Sequence, residues 1–209
     1  MTKRIAGKLR LGVLLSGGGR TLLNILEYIN AGKLDAEVVV VIASRKCKGV
    51  ERSKAAGLRT HIVRYKRMPD VASYSARIAE VLDAAAAELV VQAGLLSLWH
   101  IPPQYEGKVM NIHPALLPSF GGHGMYGHHV HEAVLAAGCK VSGCTVHFVT
   151  NVYDSGPIVV QRTAPVLEGD TAETLADRVF EQECIAYPEA IRLFGQGKLR
   201  IEGNVVHVG

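Results

Sequence analysis

The strongest constraint on the fold is an alternation of short apolar runs with amphipathic segments over the first hundred residues. The runs Leu11–Leu15, Val38–Ala43 and Leu89–Ala93 are almost wholly apolar, as expected of strands buried on both faces of a parallel sheet. Two intervening segments carry apolar residues at the three-and-four spacing of a helix face. These residues are Leu22, Ile25, Leu26 and Ile29 in the first segment, and Ile78, Val81, Leu82 and Ala85 in the second. The order predicts an α/β fold: a Rossmann-like, mostly parallel twisted sheet with helices on both faces.

Further strands are predicted outside these runs. A short strand is expected at His61–Val63, and longer ones at Val109–His113, Thr145–Val149 and Ile158–Val166. Ile201–Val208, which contains a Gly-Asn pair at its centre, is typical of a small terminal hairpin. Ligands of parallel sheets bind beyond the carboxyl ends of the strands, so those ends are where a site is expected.

A long helix is predicted to follow the Ile158–Val166 strand. Asp170 is expected to begin it, with Glu173 placed to complete a capping box. Leu175 and Val179 would share its inner face. Pro188 is expected to break or kink this helix, because proline cannot donate the backbone hydrogen bond that a helix interior needs.

The charge balance argues against a nucleic-acid partner. The chain of 209 residues has 23 basic and 19 acidic residues and a net charge of +4, an excess too small for a nucleic-acid-binding face. One basic cluster includes Glu51 and is interpreted mainly as a solvated surface, with an anion-attracting role as the alternative. Its members are Arg45, Lys46, Lys48, Arg52 and Lys54.

Cysteine usage and hydropathy predict a cytoplasmic protein without a membrane partner. The four cysteines form no Cys-x-x-Cys pair and are expected to be free thiols in a reducing compartment. The basic segment Met1–Arg10 precedes only a short apolar run, which is unlike a signal peptide. No apolar run reaches the ~20 residues that a spanning helix needs.

A glycine-rich loop, Ser16-Gly17-Gly18-Gly19-Arg20-Thr21, joins the first strand to the first helix. Glycines allow close approach to a ligand, and a helix N-terminus presents unpaired N–H groups with partial positive charge, so a phosphate is expected here. The loop has neither the pattern of a nucleoside triphosphate P-loop nor that of a dinucleotide site. The alternative is a tight turn that binds nothing.

Met110-Asn111-Ile112-His113-Pro114 is the most informative segment for chemistry. Side chains alternate along a strand, so Asn111 and His113 point the same way and could donate hydrogen bonds to a developing oxyanion. Asp154 lies in a later turn, and near His113 it would raise the pKa of that ring, favour imidazolium and help to carry a proton. The alternative is that all three are ordinary structural polar groups.

From Leu11 to about Phe194 the chain resembles the glycinamide ribonucleotide formyltransferase family. The resemblance is carried by Asn111–Pro118, Thr145–Val149 and Asp154–Ile158. It implies a formyltransferase fold and transfer of a formyl group from 10-formyltetrahydrofolate as co-substrate to the amine of a glycinamide ribonucleotide. We therefore predict a single domain over residues 1–209, with a phosphate-binding half (1–100) and a catalytic and folate-binding half (101–209).

The resemblance also implies roles for individual residues. The predicted catalytic trio is Asn111, His113 and Asp154. The remaining assignments are Gly17, Gly18, Gly19, Arg20 and Thr21 for the ribose phosphate, Glu183 for the glycinamide ribotide, and Leu95, Leu96, Ser97 and Leu98, with Asn111, for the pterin.

Three departures from the family pattern are present. Arg20-Thr21 stands where the family usually has Ser-Asn, and Ser97 takes the place of a common arginine beside the pterin. Near Val71 there is no arginine equivalent to the one that often meets the folate, although Lys66 and Arg67 are close by. The predicted trio is intact.

A histidine-rich stretch, Gly121–His131, raises the question of a metal. Its histidines lack the spacing of a known zinc site, and Glu132 is the one nearby carboxylate. We therefore predict no metal and interpret the stretch as a mobile loop over the active site, or else as an ordinary surface loop.

Three other functions remain open from the sequence. These are a related formyltransferase acting on another phosphorylated amine, a hydrolase of formyl-folate, and a non-catalytic module that binds folate or a sugar phosphate. The partners expected under the leading hypothesis are small molecules, and the expected oligomeric state is a monomer or a homodimer.

Overall fold

The computed structural model describes residues 7–209. Residues 1–6, and with them most of the basic segment Met1–Arg10, lie outside the described residues. The chain separates into two compact units, one ending at Asn111 and the other running from Ile112 to Gly209. The division into functional halves at residues 100 and 101 stays a prediction.

The first unit is a five-stranded parallel sheet with the order β3-β2-β1-β4-β5. Its strands are β1 (Leu9–Leu15), β2 (Ala36–Ala43), β3 (Thr60–Ile62), β4 (Leu89–Gln92) and β5 (Val109–His113), the last of which runs into the second unit. Its helices are α1 (Arg20–Asn30), α2 (Lys48–Ala55) and α3 (Val71–Ala84), with 3-10 turns at Tyr65–Arg67 and Pro103–Tyr105. The predicted mostly parallel α/β architecture is confirmed.

Burial explains why these elements form where they do. Leu11, Leu14 and Leu15 of β1 are fully buried, as a strand covered on both faces requires. Leu22 and Ile25 bury the inner face of α1. The carboxyl ends of β1 and β4 are therefore fixed side by side, because these strands pair from Leu11 to Leu14 of β1.

The second unit contains two helices and four strands. These are α4 (His128–Ala136), β6 (Val141–Phe148), β7 (Ile158–Pro165), α5 (Ala172–Gly195), β8 (Leu199–Glu202) and β9 (Val205–Val208). β6 and β7 are antiparallel, and β9 pairs in parallel with β7 and antiparallel with β8. The terminal hairpin turns at Gly203-Asn204, as predicted.

The predicted start of the long helix was wrong, and the helix does not break at Pro188. Thr171, not Asp170, is the N-cap of α5, and its capping-box partner is Thr174 rather than Glu173. The helix also continues through Pro188 to Gly195. Tyr187 and its neighbours on the inner face are buried, and this packing outweighs the one hydrogen bond that proline removes.

The histidine-rich stretch is not entirely a loop, contrary to the prediction. His128 to His131 form the first turn of α4, a helix that the sequence analysis missed. Val130 and Val134 are buried one turn apart, which is the spacing that anchors a helix face. None of the helices in the described part of the chain is long and apolar enough to cross a bilayer.

Candidate active site

His113 is the last residue of β5 and is 3% exposed. Its Nε2 atom lies 2.8 Å from the carbonyl oxygen of Phe120. A carbonyl oxygen only accepts, so Nε2 carries the proton and donates it. Nδ1 faces Asp154, with 3.6 Å between Nδ1 and Oδ2, a separation too long for a direct hydrogen bond.

Asp154 lies in the turn between β6 and β7 with φ at 51°, a left-handed conformation that aspartate tolerates better than most residues. Its Oδ2 accepts a hydrogen bond of 2.9 Å from the backbone N–H of Gly122. The side chain is only 11% exposed. Two of the three residues predicted to be catalytic, His113 and Asp154, are thus neighbours within the second unit.

His147 is a further member of this cluster that the sequence analysis did not identify. Its Nε2 lies 3.7 Å from Oδ1 of Asp154, and the ring is 2% exposed. Nδ1 donates to the carbonyl oxygen of Phe148 at 2.9 Å. The Asp154 carboxylate therefore lies between two buried imidazoles, of which His113 is the other.

The pKa of His113 differs from the expectation. Burial lowers it below the ordinary value for histidine, and the positive charge that His147 can carry lowers it further. The Asp154 carboxylate and the Phe120 carbonyl raise it, but only in part. The prediction that Asp154 holds His113 as imidazolium is therefore wrong for the free protein, because burial has the larger effect.

Asp154 itself is held as a carboxylate. Burial raises its pKa, but the adjacent His147 ring, the charge of His113 and the Gly122 amide together bring the pKa below the ordinary value. An ionised carboxylate beside the His113 ring can stabilise a proton that arrives on that ring. The cluster is thus suited to taking up a proton during a reaction and returning it.

Thr145 fixes the segment that follows His113. Its Oγ1 donates to the carbonyl oxygen of Ala115 at 2.7 Å and accepts from the Leu117 N–H at 3.0 Å. Gln161 Nε2 lies 3.1 Å from the same oxygen and 2.9 Å from the Leu117 carbonyl oxygen. Thr145 and His147 lie two residues apart on β6, so they share one face of the strand.

The glycine loop in the first unit is held by the segment that follows β2. The carbonyl oxygens of Ser16, Gly17 and Gly18 accept hydrogen bonds of 2.8, 3.0 and 2.6 Å. The donors are Arg45 Nε, the Gly49 N–H and Arg52 Nη1, in that order. Part of the basic cluster interpreted as solvated surface therefore has a structural role.

This arrangement orients the amides of the loop. In a trans peptide the C=O and the following N–H point in opposite directions, so the N–H groups of Gly17, Gly18 and Gly19 point away from these donors. Within residues 7–209 no acceptor is recorded for these three amides. Successive free N–H groups beside a helix start form a concavity that binds anions.

The end of β4 adjoins the glycine loop. Ser16 Oγ accepts a hydrogen bond of 2.9 Å from the Leu96 N–H, and the Ser16 N–H donates to the Gly94 carbonyl at 2.9 Å. Leu96 is 50% exposed. The predicted phosphate-binding and pterin-binding segments of the first unit are therefore linked by Ser16.

Comparison with known proteins places this chain in a family. Residues 9–191 match the sequence profile described as formyl transferase. The chain belongs to the formyl transferase family. It is 32% identical over 195 residues to the phosphoribosylglycinamide formyltransferase of Escherichia coli K12, covering 92% of this chain and 90% of that one.

Other members of the formyl transferase family are similarly close. The chain is 36% identical over 200 residues to the trifunctional purine biosynthetic protein adenosine-3 of Bos taurus, matching 94% of this chain but only 19% of that protein. It therefore spans about a fifth of the length of that relative. The crystal structure of glycinamide ribonucleotide transformylase 1 from Symbiobacterium toebii superposes with a TM-score of 0.90 at 41% identity, covering 96% and 94% of the two chains.

The remaining predicted site residues of this formyl transferase lie on defined elements. Arg20 and Thr21 begin α1, Asn111 is two residues before His113 on β5, and Glu183 is half-buried on α5.

Burial raises the pKa of the Cys144 thiol to about 12, and the charge of Glu183 adds to the effect. Among residues 7–209 no three His, Cys, Asp or Glu side chains converge as metal ligands would.

Proposed function

We propose that this chain transfers the formyl group of 10-formyltetrahydrofolate to the amine of 5′-phosphoribosylglycinamide in purine biosynthesis. The observation that carries the proposal is the buried pair of His113 and Asp154, with Nδ1 and Oδ2 3.6 Å apart at the end of β5. Membership of the formyl transferase family supports it, and so do the names of the relatives that align along most of this chain.

In the proposed reaction the amine nitrogen forms a bond to the formyl carbon, and the carbonyl π electrons move to oxygen. Asn111 and His113 donate hydrogen bonds to the resulting oxyanion. Collapse of this intermediate breaks the bond between the formyl carbon and the folate nitrogen. That nitrogen takes up the proton lost by the attacking amine, and Asp154 carries the proton directly or through water.

His113 enters this reaction neutral, because burial holds its pKa below the ordinary value. In that state the donor is Nε2–H, which the Phe120 carbonyl occupies. The substrate oxygen must therefore replace this carbonyl as the acceptor. As the oxygen becomes negative the pKa of His113 rises, and Asp154, which faces Nδ1, stabilises a second proton on the ring.

The other residues of the proposal bind the two substrates. Gly17, Gly18 and Gly19, with Arg20 and Thr21, receive the ribose phosphate. The supporting observation is that the three glycine amides have no recorded acceptor in residues 7–209, while Arg45 and Arg52 bring positive charge to the loop. In addition, Glu183 contacts the glycinamide ribotide, and Leu95, Leu96, Ser97 and Leu98, with Asn111, contact the pterin.

We infer further that the enzyme works in the cytoplasm on small molecules alone, as a monomer or homodimer. The four cysteines are free thiols, which supports a reducing compartment. The small net charge of +4 supports the absence of a nucleic-acid partner. No step of the proposed chemistry calls for a metal, since hydrogen-bond donors and a carboxylate supply the charge stabilisation.

One assay tests this function against its alternatives. The release of tetrahydrofolate from the 10-formyl donor is followed spectrophotometrically, with and without glycinamide ribonucleotide. Release that depends on the ribonucleotide supports the transferase. Release without the ribonucleotide would identify a hydrolase. Release that needs a different phosphorylated amine would identify a related transferase. No release of tetrahydrofolate, together with tight folate binding, would identify a binding module.

Two variants test the residues. We expect His113→Ala and Asp154→Asn each to lower turnover by about 100- to 1,000-fold, the cost of losing one oxyanion-stabilising group. His207→Ala and Asp35→Asn, which change exposed residues of the same types, are the matched controls and should keep normal turnover. Near-normal turnover in folded His113→Ala or Asp154→Asn protein would contradict the assignment.

A further inference from the structure

A basic cavity lies at the end of β3, on the edge strand of the first unit. Its volume is about 370 Å³, within the usual range for small-molecule sites. Arg64, Arg67 and Arg77 line it together with His61. The proposed formyl transfer uses none of these four residues.

The arginines of this cavity are incompletely neutralised. Arg77 Nη1 lies 2.7 Å from Glu80 Oε2, in an exposed pair. Arg64 and Arg67 form no salt bridge with any carboxylate among the described residues. Positive charges in a concave site focus the field toward its interior, and the planar guanidinium group suits bidentate recognition of oxyanions.

The pKa of His61 is sensitive to the positive charges around the cavity. Its Nε2 lies 3.2 Å from Arg59 Nε, and because that guanidinium nitrogen only donates, the proton of the neutral ring is on Nδ1. Burial lowers the pKa of His61, and the charges of Arg59 and Arg77 lower it further. The ring therefore remains a neutral donor among cations at neutral pH.

The wall of the cavity is partly apolar. Ile62, Val63 and Met68 complete the lining, so a bound molecule can bury carbon atoms while its charged groups meet the arginines. This combination favours a compact organic anion over a nucleic acid, which would need an extended basic surface.

We propose that this cavity is a second ligand site that binds a small multivalent oxyanion, held by Arg64, Arg67 and Arg77 with His61 as an additional hydrogen-bond donor. The shared chemistry is that of phosphate and carboxylate groups. Which of the two occupies the site is decided by comparing a phosphate-based probe with a carboxylate-based one.

The test follows the imidazole of His61 by NMR as a function of pH, with the resonance assigned by its loss in His61→Gln. Titrations are run on the whole protein with pyrophosphate, with citrate, and with sodium chloride at matched ionic strength. The test variant is Arg64→Gln/Arg67→Gln. The control is Lys140→Gln/Arg200→Gln, which removes two positive charges at exposed positions of the second unit.

In wild type and in the control, pyrophosphate or citrate should raise the pKa of His61 in a saturable way, beyond the effect of chloride. In Arg64→Gln/Arg67→Gln the apparent affinity should fall about tenfold or more, because two charge-assisted contacts are lost. Stronger binding of pyrophosphate would identify a phosphate ligand, and stronger binding of citrate a polycarboxylate. Equal shifts in chloride, or equal affinity in the test variant and the control, would overturn the proposal.

Each variant is checked for folding by its thermal melt. Arg67 is exposed and Arg64 is partly exposed, so we expect both substitutions to leave the fold intact. If the double variant nevertheless melts early, Arg67→Gln alone must still weaken binding, and unchanged affinity in that single variant would likewise overturn the proposal.

Discussion

Nη1 of Arg52 lies 2.6 Å from the carbonyl oxygen of Gly18, so a side chain of α2 holds the loop that precedes α1. Arg45 holds the Ser16 carbonyl in the same way. Both guanidinium groups act on the peptide planes whose N–H groups we propose to bind phosphate. The basic residues after β2 therefore determine the geometry of the loop as well as its charge.

Arg52→Met should raise the KM for glycinamide ribonucleotide about tenfold, the cost of losing one charge-assisted hydrogen bond near the phosphate. The kcat should change little, because the hydrogen bond of Arg52 goes to the glycine loop and the proposed chemistry uses no group of Arg52. Steady-state kinetics with the ribonucleotide varied measures both constants.

The matched control for this substitution is Lys54→Met, which removes an exposed charge from the same helix without touching the loop. An equal rise of KM in both variants would assign the effect to general electrostatics. A fall in kcat at unchanged KM would contradict the positioning role of Arg52.

Gly49→Ala should destabilise the first unit. A Cβ atom at Gly49 would lie 2.9 Å from the Gly17 carbonyl oxygen and 2.8 Å from a methyl carbon of Leu15. Such overpacking typically lowers the free energy of unfolding by about 1 to 3 kcal/mol. Urea denaturation measures the loss in the free energy of unfolding, and Gly17→Ala, where no atom lies within 4 Å of the added Cβ, should lose much less.

Thr145→Val should lower the free energy of unfolding by about 2 to 4 kcal/mol, since it leaves the buried Leu117 N–H and Ala115 carbonyl without their hydrogen-bond partner. Thr145→Ser keeps the hydroxyl and should lose about 1 kcal/mol, the value of a buried methyl group. Denaturant titrations of the three proteins measure the difference. Equal losses in the two variants would mean that packing, rather than hydrogen bonding, holds the segment after His113.

Acid should destabilise the protein through His131. This side chain is 4% exposed, and its pKa is lowered to about 4 by burial and by the charges of His128 and His113. The folded-state pKa lies below the ordinary histidine value near 6.5, so the unfolded chain binds more protons between these pH values and stability falls as pH falls through that window. From pH 7.5 to pH 5 the loss from this group is roughly 2 kcal/mol.

His131→Gln isolates this contribution, because glutamine does not titrate. Urea unfolding at pH 7.5 and pH 5 should show a smaller loss for His131→Gln than for wild type. His129→Gln, an exposed neighbour on the same helix, should retain the wild-type pH dependence. A wild-type-sized loss in His131→Gln would exclude His131 as the cause.

The parts of the fold that the sequence predicts best depend on local pattern. The continuous burial of β1 follows from an apolar run, and the glycine loop follows from its place between that run and an amphipathic helix. The sequence pattern predicts His113 at a strand end and Asp154 in a turn, where the structure has them. Their proximity within the second unit needed the coordinates, because 40 residues of chain lie between the two in sequence.

The features of the site that the sequence does not predict depend on the direction of side chains and on their burial. The charged run around Arg52 gives no indication of where a flexible guanidinium points. The sign of the His113 pKa shift depends on a balance between burial and the charge of Asp154, which only the packed structure supplies. His147 could have been found, since it follows Thr145 at strand spacing.

The two faces of β6 carry residues with different roles. One carries Thr145 and His147, while the other carries Cys144 and Val146, both buried, with Cys144 under the electrostatic influence of Glu183 on α5. Substitutions at Cys144 and Val146 that conserve side-chain volume should leave the Asp154 carboxylate between its two rings. A library confined to Cys144 and Val146 should therefore yield variants with altered stability and unchanged chemistry.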